Sequence, residues 1–375
     1  MKKIILPLLM LFAVFAYCQE EEETPSWFDG FTLSGSVDAY YRLNLNSANK
    51  FVPDSNGDAV YGAPGSSFAN RPGFAIGMAN AVLSYEKGSV GAVADLVFGP
   101  RGEEAVFNST GNSSIVNQLY VYWNVSDKVT LTFGNWNTYL GYEVISPTAN
   151  FNYSTSYMFS YGPFSHTGLK ADFALSDEWS AMLAVMNPTD YTEYNPFGSY
   201  SVGAQIGYSA GSGSAYLNFL YGDQDGDYSD EGLGEGVGST FQVDLTTGFD
   251  LTDTFYLGLN TTYNSTADAD ATGDDDAGFY GVALYAQLAL SDSFSLGLRP
   301  EYFSEFGDFG AIGANDPDGD ADVFAITLSG NAKVGPLTFI PEFRLDSASE
   351  DAFFDSDLAP QDSLASFLLA AVYSF

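Results

Sequence analysis

The sequence predicts an all-β chain, a transmembrane antiparallel up-and-down β-barrel of about sixteen strands with short periplasmic turns and long extracellular loops. Three observations predict it. The last twelve residues, LASFLLAAVYSF, place Ala365, Phe367, Leu369, Ala371, Tyr373 and Phe375 at every second position, so one apolar stripe runs into the carboxyl terminus. Tight turn signals recur at Lys87-Gly88, Ser126-Asp127-Lys128, Ser176-Asp177-Glu178, Gly211-Ser212-Gly213, Thr252-Asp253, Ser291-Asp292 and Gly335-Pro336, each between alternating segments. At the amino terminus, Lys2 and Lys3 precede an apolar run from Ile4 to Ala16 that is too short to span a bilayer, followed by small residues suited to signal-peptide cleavage.

In chain order, residues 1–18 read as a cleaved secretory signal. The bulky Tyr17 before Cys18 fits a lipoprotein site poorly, and cleavage near Gln19 leaves a mature chain without cysteine. Residues 19–30, with Glu20 to Glu23 and Thr24-Pro25, read as a solvated periplasmic lead-in, and 31–375 as the barrel. Neighbouring turn signals lie 34 to 50 residues apart, room for two strands of about ten residues and one longer loop. Seven turns join fourteen strands, and one more at each end makes sixteen, which returns both termini to the short-turn side.

Alternation holds strand by strand. From Thr32 to Asn46, Leu33, Val37, Ala39, Tyr41, Leu43 and Leu45 share one face, with Ser34, Ser36, Asp38, Tyr40, Arg42 and Asn44 on the other. From Phe241 to Leu251, Phe241, Val243, Leu245, Phe249 and Leu251 oppose Gln242, Asp244, Thr246, Gly248 and Asp250. A water-soluble sandwich would show the same period with the apolar face inside. The export signal, the terminal Phe375 and the contrast between terse turns and long loops favour the membrane. Trp27, Trp123, Trp136 and Trp179 then read as aromatic belts at its interfaces.

Removing Lys2 and Lys3 takes the formal charge from -36 to -38, which excludes nucleic acid as a partner. Most of the acid falls in stretches assigned to external loops: 223–235, 268–276, 305–322 and 346–362. Its plain reading is solvation. A sharper one takes Asp223, Asp225, Asp227, Asp316, Asp318 and Asp320 as candidate Ca²⁺ or Mg²⁺ ligands, because each triplet opens like a calcium loop. Neither triplet completes one: the sixth-position glycine is missing, and position twelve is Gly234 or Thr327 rather than glutamate. No other cofactor is implied.

Within the strands, Arg42, Lys170, Arg299, Lys333 and Arg344 share the polar face with Asp38, Asp172, Glu301, Glu342 and Asp346. A basic side chain facing lipid at mid-depth costs about 2–4 kcal/mol, so these charges belong to the lumen. There they serve as wall salt bridges, as solute-selecting charges, or as both.

The stretch Gly141-Tyr142-Glu143-Val144-Ile145, Asn150, Tyr153-Ser154, Ser156-Tyr157, Tyr161-Gly162-Pro163-Phe164 and His166-Thr167-Gly168 resembles the OmpL-like family of outer-membrane β-barrel porins. Phe31-Thr32-Leu33-Ser34-Gly35 with Val37-Asp38-Ala39-Tyr40-Tyr41 is similar to that family's first strand. The resemblance covers nearly all of the mature chain and implies a channel of a Gram-negative outer membrane. Its partners would be outer-membrane lipid and lipopolysaccharide, the barrel-assembly machinery acting on Phe375, and small hydrophilic solutes. The outward faces are apolar whether they meet lipid or a sister barrel, so monomer and homo-oligomer both stay open.

The same stretch is the third external loop. From Thr138 to Ser165 its only charge is Glu143, amid eight aromatic residues, so it should pack rather than wave in water. Third loops of sixteen-stranded porins fold into the barrel, and the analogy makes Tyr142, Glu143, Asn150, Tyr153 and Tyr157 the constriction. The alternative is packing over the rim. Two rival functions remain: a surface-loop adhesin with a closed lumen, and an outer-membrane hydrolase using His166, the sole histidine, with Ser165 and Asp172 nearby.

Overall fold

In the computed structural model the described residues are 29–53, 59–225, 237–269, 275–313 and 320–375. The expected signal and nearly all of the lead-in, with Trp27, lie outside them. Sixteen antiparallel strands close into one barrel: β1 Phe31–Asn44, β2 Gly73–Lys87, β3 Val90–Phe98, β4 Val116–Ser126, β5 Val129–Asn137, β6 Ser165–Ala174, β7 Trp179–Met186, β8 Ser201–Ala210, β9 Gly213–Asp223, β10 Ser239–Asp250, β11 Phe255–Thr266, β12 Ala277–Ser291, β13 Phe294–Phe306, β14 Ala321–Val334, β15 Leu337–Ala348 and β16 Ser363–Ser374.

Each strand pairs with its sequence neighbours, and β16 pairs with β1 from Ser36↔Ser374 to Asn44↔Ser366. Closure removes the edge strands whose unpaired amides hydrocarbon could not satisfy. The seven turn signals all join strands, from β2/β3 to β14/β15, and both termini of the wall lie at that short-turn end. Two of these turns show their chemistry directly. Gly88 and Gly335 take positive φ at the first linking residue, a conformation glycine adopts without strain.

The burial pattern is that of a soluble sheet turned inside out. On β13, Arg299 is 0% and Glu301 1% exposed, whereas Phe74 on β2 is 91% exposed. Around the barrel, exposed Phe133, Leu183, Phe241, Phe343 and Leu369 form an outward apolar band. Phe375 also faces outward, and its main chain exchanges two 3.0 Å hydrogen bonds with Gly35.

Among the loops, the third (138–164) carries helix α2, Tyr157–Tyr161, and the second carries helix α1, Pro100–Ala105. Ser156 caps α2 by accepting from Phe159 N at 3.1 Å. An apolar core fills part of the interior: Tyr157 and Met158 pack with Phe279, Phe303, Val323 and Leu364 from β12, β13, β14 and β16. A second cluster joins Phe159, Phe164 and Ile145 to Phe68 of the first loop and Ala105 of α1.

Two sequence expectations are corrected here. Trp136 is not part of an interfacial belt: it is buried, its side chain packs inside with Leu140, Met182 and Leu220, and only Trp123 and Trp179 of the described tryptophans are exposed. Glu305 is not a loop residue: it stands near the end of β13 on the inner face and accepts from Ala311 N and Ile312 N. Asp346, which the acid-rich stretch and the strand alternation both claim, belongs to the strand: it lies on the inner face of β15 and pairs with Arg344.

Candidate functional site

The third loop meets the wall through its backbone amides, and the wall answers with carboxylates. Glu342 of β15 accepts from Tyr153 N at 2.9 Å and Ser154 N at 3.2 Å. Glu301 of β13 accepts from Tyr157 N at 3.1 Å and Met158 N at 3.0 Å. Asp244 of β10 accepts from Gly141 N at 3.0 Å, and Asp38 of β1 from the Tyr153 hydroxyl at 2.5 Å. Tyr139 donates to Phe219 O of β9 at 2.7 Å, and Tyr142 shares a 2.7 Å hydroxyl contact with Tyr256 of β11. One segment leaving between β5 and β6 can reach β1, β9, β10, β11, β13 and β15 together only from inside the barrel. The loop therefore lies on the inner face.

Arginines secure the same segment through its carbonyls. Arg299 ion-pairs with Glu143 and donates to Ser154 O at 2.7 Å and Thr327 Oγ1 at 3.1 Å. Arg344 donates to Thr155 O and Ser66 Oγ, both at 2.8 Å, while both of its remaining nitrogens face Asp346. Arg101 of α1 donates to Ile145 O at 2.8 Å and Tyr153 O at 3.2 Å. These are charge-assisted bonds in a region shielded from water, where each is stronger than at a surface. Burial raises the Tyr153 and Tyr157 hydroxyls well above the ordinary phenol range, and that of Tyr161 to about 12, so all three stay neutral; Tyr153 and Tyr161 donate, and Tyr157 accepts from Gly65 N at 3.4 Å.

The five residues expected at a constriction separate into two groups. Glu143, Tyr153 and Tyr157 are buried, so they anchor the loop and touch no water. Tyr142 and Asn150 line open space. A cavity of about 540 Å³ lies between the loop and β8–β11, bounded by Tyr139, Tyr142, Gln205, Tyr216, Thr246 and Tyr256. A second, of about 260 Å³, is bounded by Asn150, Phe151, Gln287, Asn331, Lys333 and Thr338. Ala149 borders both, so the loop tip divides the interior near the short-turn end.

Of the charges expected in the lumen, Asp38, Arg42, Arg299, Glu301, Glu342 and Arg344 are all buried on the inner face. Arg42 donates to Asn70 O at 3.0 Å. Lys170 and Asp172 pair at 3.0 Å and stay partly open to water, and Lys333 is exposed beside the smaller cavity. Residues 227, 316 and 318 lie outside the described residues. Asp223 accepts from Asp225 N at 3.1 Å, Asp225 from Val237 N at 2.9 Å and Asp320 from Gly307 N at 3.2 Å. Among the described residues no cluster of three or more His, Cys, Asp or Glu is placed to hold a metal.

Sequence reasoning missed Arg101 and Asp95. Arg101 sits in a loop helix with no strand period to mark it, and Asp95, which accepts from Asn117 Nδ2 at 2.7 Å, gathers three side-chain amides from the two strands flanking it, β2 and β4.

The family described as "Putative beta-barrel porin-2, OmpL-like" matches residues 30–375. No curated protein matches the chain. Among solved structures it is similar in fold to the outer membrane channel DcaP of Acinetobacter baumannii, with 14% identity, a TM-score of 0.57, and 92% of this chain and 97% of that one covered. The anion-selective porin from Comamonas acidovorans gives 12% identity and 0.56 over 92% and 99%. A loop-deletion form of OmpT, an outer membrane protein of Vibrio cholerae, gives 11% and 0.56 over 92% and 99%.

Proposed function

Because this chain belongs to the OmpL-like beta-barrel porin-2 family, we propose that it is a porin of the outer membrane through which small hydrophilic solutes diffuse passively, narrowed by the third loop. One observation carries the reading: the inner half of the barrel keeps polar-lined cavities against a loop that is bonded to the wall from many sides. A barrel built only to display loops has no use for a fixed internal chord beside open space. Passive diffusion needs no cofactor. On the same reading, the signal is removed on export, the outward Phe375 presents the strand to the assembly machinery, and lipid and lipopolysaccharide surround the band.

A hydrolase finds no support in the contacts of His166. Its Nε2 meets Thr138 Oγ1 at 2.9 Å and its ring lies against Tyr139, while Ser165 Oγ meets Thr192 and Asp172 meets Lys170. The candidate triad is thus split among three separate partnerships. The deciding experiment is reconstitution of the purified barrel in a planar lipid bilayer in KCl. Discrete conductance steps are expected; a folded barrel that inserts and gives none is the closed-lumen adhesin.

A further inference from the structure

We propose that the 540 Å³ chamber beside β8–β11 is a passage and binding site for uncharged polyhydroxylated solutes, that is, saccharides. The inference rests on the porin reading and adds the solute class to it.

The chamber lies within the range of about 300–1,000 Å³ usual for small-ligand sites. Its lining carries no formal charge among the described residues: four tyrosines (Tyr139, Tyr142, Tyr216, Tyr256) stand with Gln205 and Thr246. That neutrality is unexpected in a chain of net charge -36. The structure explains it by where the charges are held. Glu143, Arg299, Glu301, Glu342, Arg344 and Asp346 are sealed beneath the loop, each 3% exposed or less. An ion crossing the chamber meets no fixed counter-charge in its lining, so discrimination between ions there is weak.

A neutral solute loses hydration on entering and needs hydrogen bonds in return. Phenol rings suit sugars because they offer an apolar face to ring C–H groups and a hydroxyl to the alcohols. Here the rings are fixed in advance. The Tyr142 ring stacks on Tyr285 with centroids 3.9 Å apart, its hydroxyl is joined to that of Tyr256, and the Tyr139 hydroxyl is tied to Phe219 O. Ordering these side chains therefore costs little when a solute arrives.

The test uses the full-length barrel in planar bilayers with maltotriose as the probe. Conductance steps in KCl check the porin reading by themselves; their absence from an inserted barrel overturns that reading and this proposal together. With steps present, maltotriose should interrupt the current in a saturable way. Tyr216→Ala should then weaken the interruption about tenfold, near 1.4 kcal/mol, with KCl conductance equal or higher. Tyr256→Phe, which keeps the ring but removes the hydroxyl joined to Tyr142, should weaken it less. Open steps without interruption, interruption equally strong in both variants, or a reversal potential near ideal for one ion overturn the saccharide assignment while leaving the porin standing.

Discussion

The long-loop half of the interior under β12–β16 and the short-turn half beside β8–β11 are lined by the same alternation, yet they differ in what covers it. In the first, wall carboxylates and arginines are buried against loop amides and carbonyls, and Tyr157, Phe279 and Phe303 pack as in a soluble core. In the second, tyrosines, Gln205 and Thr246 border open space, and two strands away, on β6, Lys170 with Asp172 keeps contact with water. An inward polar residue is therefore not yet a pore-lining residue. Its role depends on whether a loop lies over it, and charge in the covered half serves the loop's position.

The largest expected effect comes from breaking the covered half. Removing one partner of a buried ion pair leaves the other unpaired in a low dielectric, typically a loss of about 3–5 kcal/mol. Arg299→Met strands Glu143 and also deletes the bond to Ser154 O, so its unfolding free energy, from urea titration in lipid vesicles, should fall by that order. Adding Glu143→Leu should recover much of the loss, since an apolar pair of similar volume suits the neighbouring core. A single variant as stable as the wild type would mean that the loop is not clamped there.

How much of this was legible in the sequence follows from the range of each interaction. The seven turns were readable because turn chemistry is local, and counting them gave sixteen strands. The third loop announced itself by aromatic residues with a single charge. Its anchors did not: Glu143 meets Arg299 across 156 residues, and no period in the chain links them. The same gap explains why Glu143, Tyr153 and Tyr157 read as lining when they are anchors. Trp136 misled because position near a strand end marks an interface only for the outward face. The acid triplets were visible as motifs, but a motif without its closing ligands says nothing about what the loops do.

A smaller effect should come from the rim, where Asp190 ties the fourth loop to the end of the third. Its Oδ1 accepts from Phe164 N and Ser165 N, both at 2.8 Å. Burial raises its carboxyl from 3.8 to about 7, against the lowering effect of those two amides. The folded state thus holds this proton more tightly than the unfolded chain does. By linkage, the contribution is fully present below pH 3.8 and is lost as pH rises through about 7. Asp190→Asn keeps an acceptor and cannot ionise. Unfolding midpoints across this window should fall less with rising pH in the variant than in the wild type; parallel curves would remove Asp190 as the source.

The smallest effect on stability, and the sharpest on the contrast between the halves, belongs to Lys170→Met. The Lys170–Asp172 pair is partly exposed, at 24% and 41% for the two side chains, so its loss should cost no more than about 1 kcal/mol. Asp172 would then stand unpaired in water on the inner face, and the reversal potential in a KCl gradient should move toward cations. Glu143→Gln exchanges a charge in the covered half, where Arg299 and Ser156 N already occupy the carboxylate, and should leave that potential nearly unchanged. If Glu143→Gln moved it more than Lys170→Met, the charge beneath the loop would be the one that ions feel. The covered half would then belong to the pathway, and the chamber beside β8–β11 would be a side pocket.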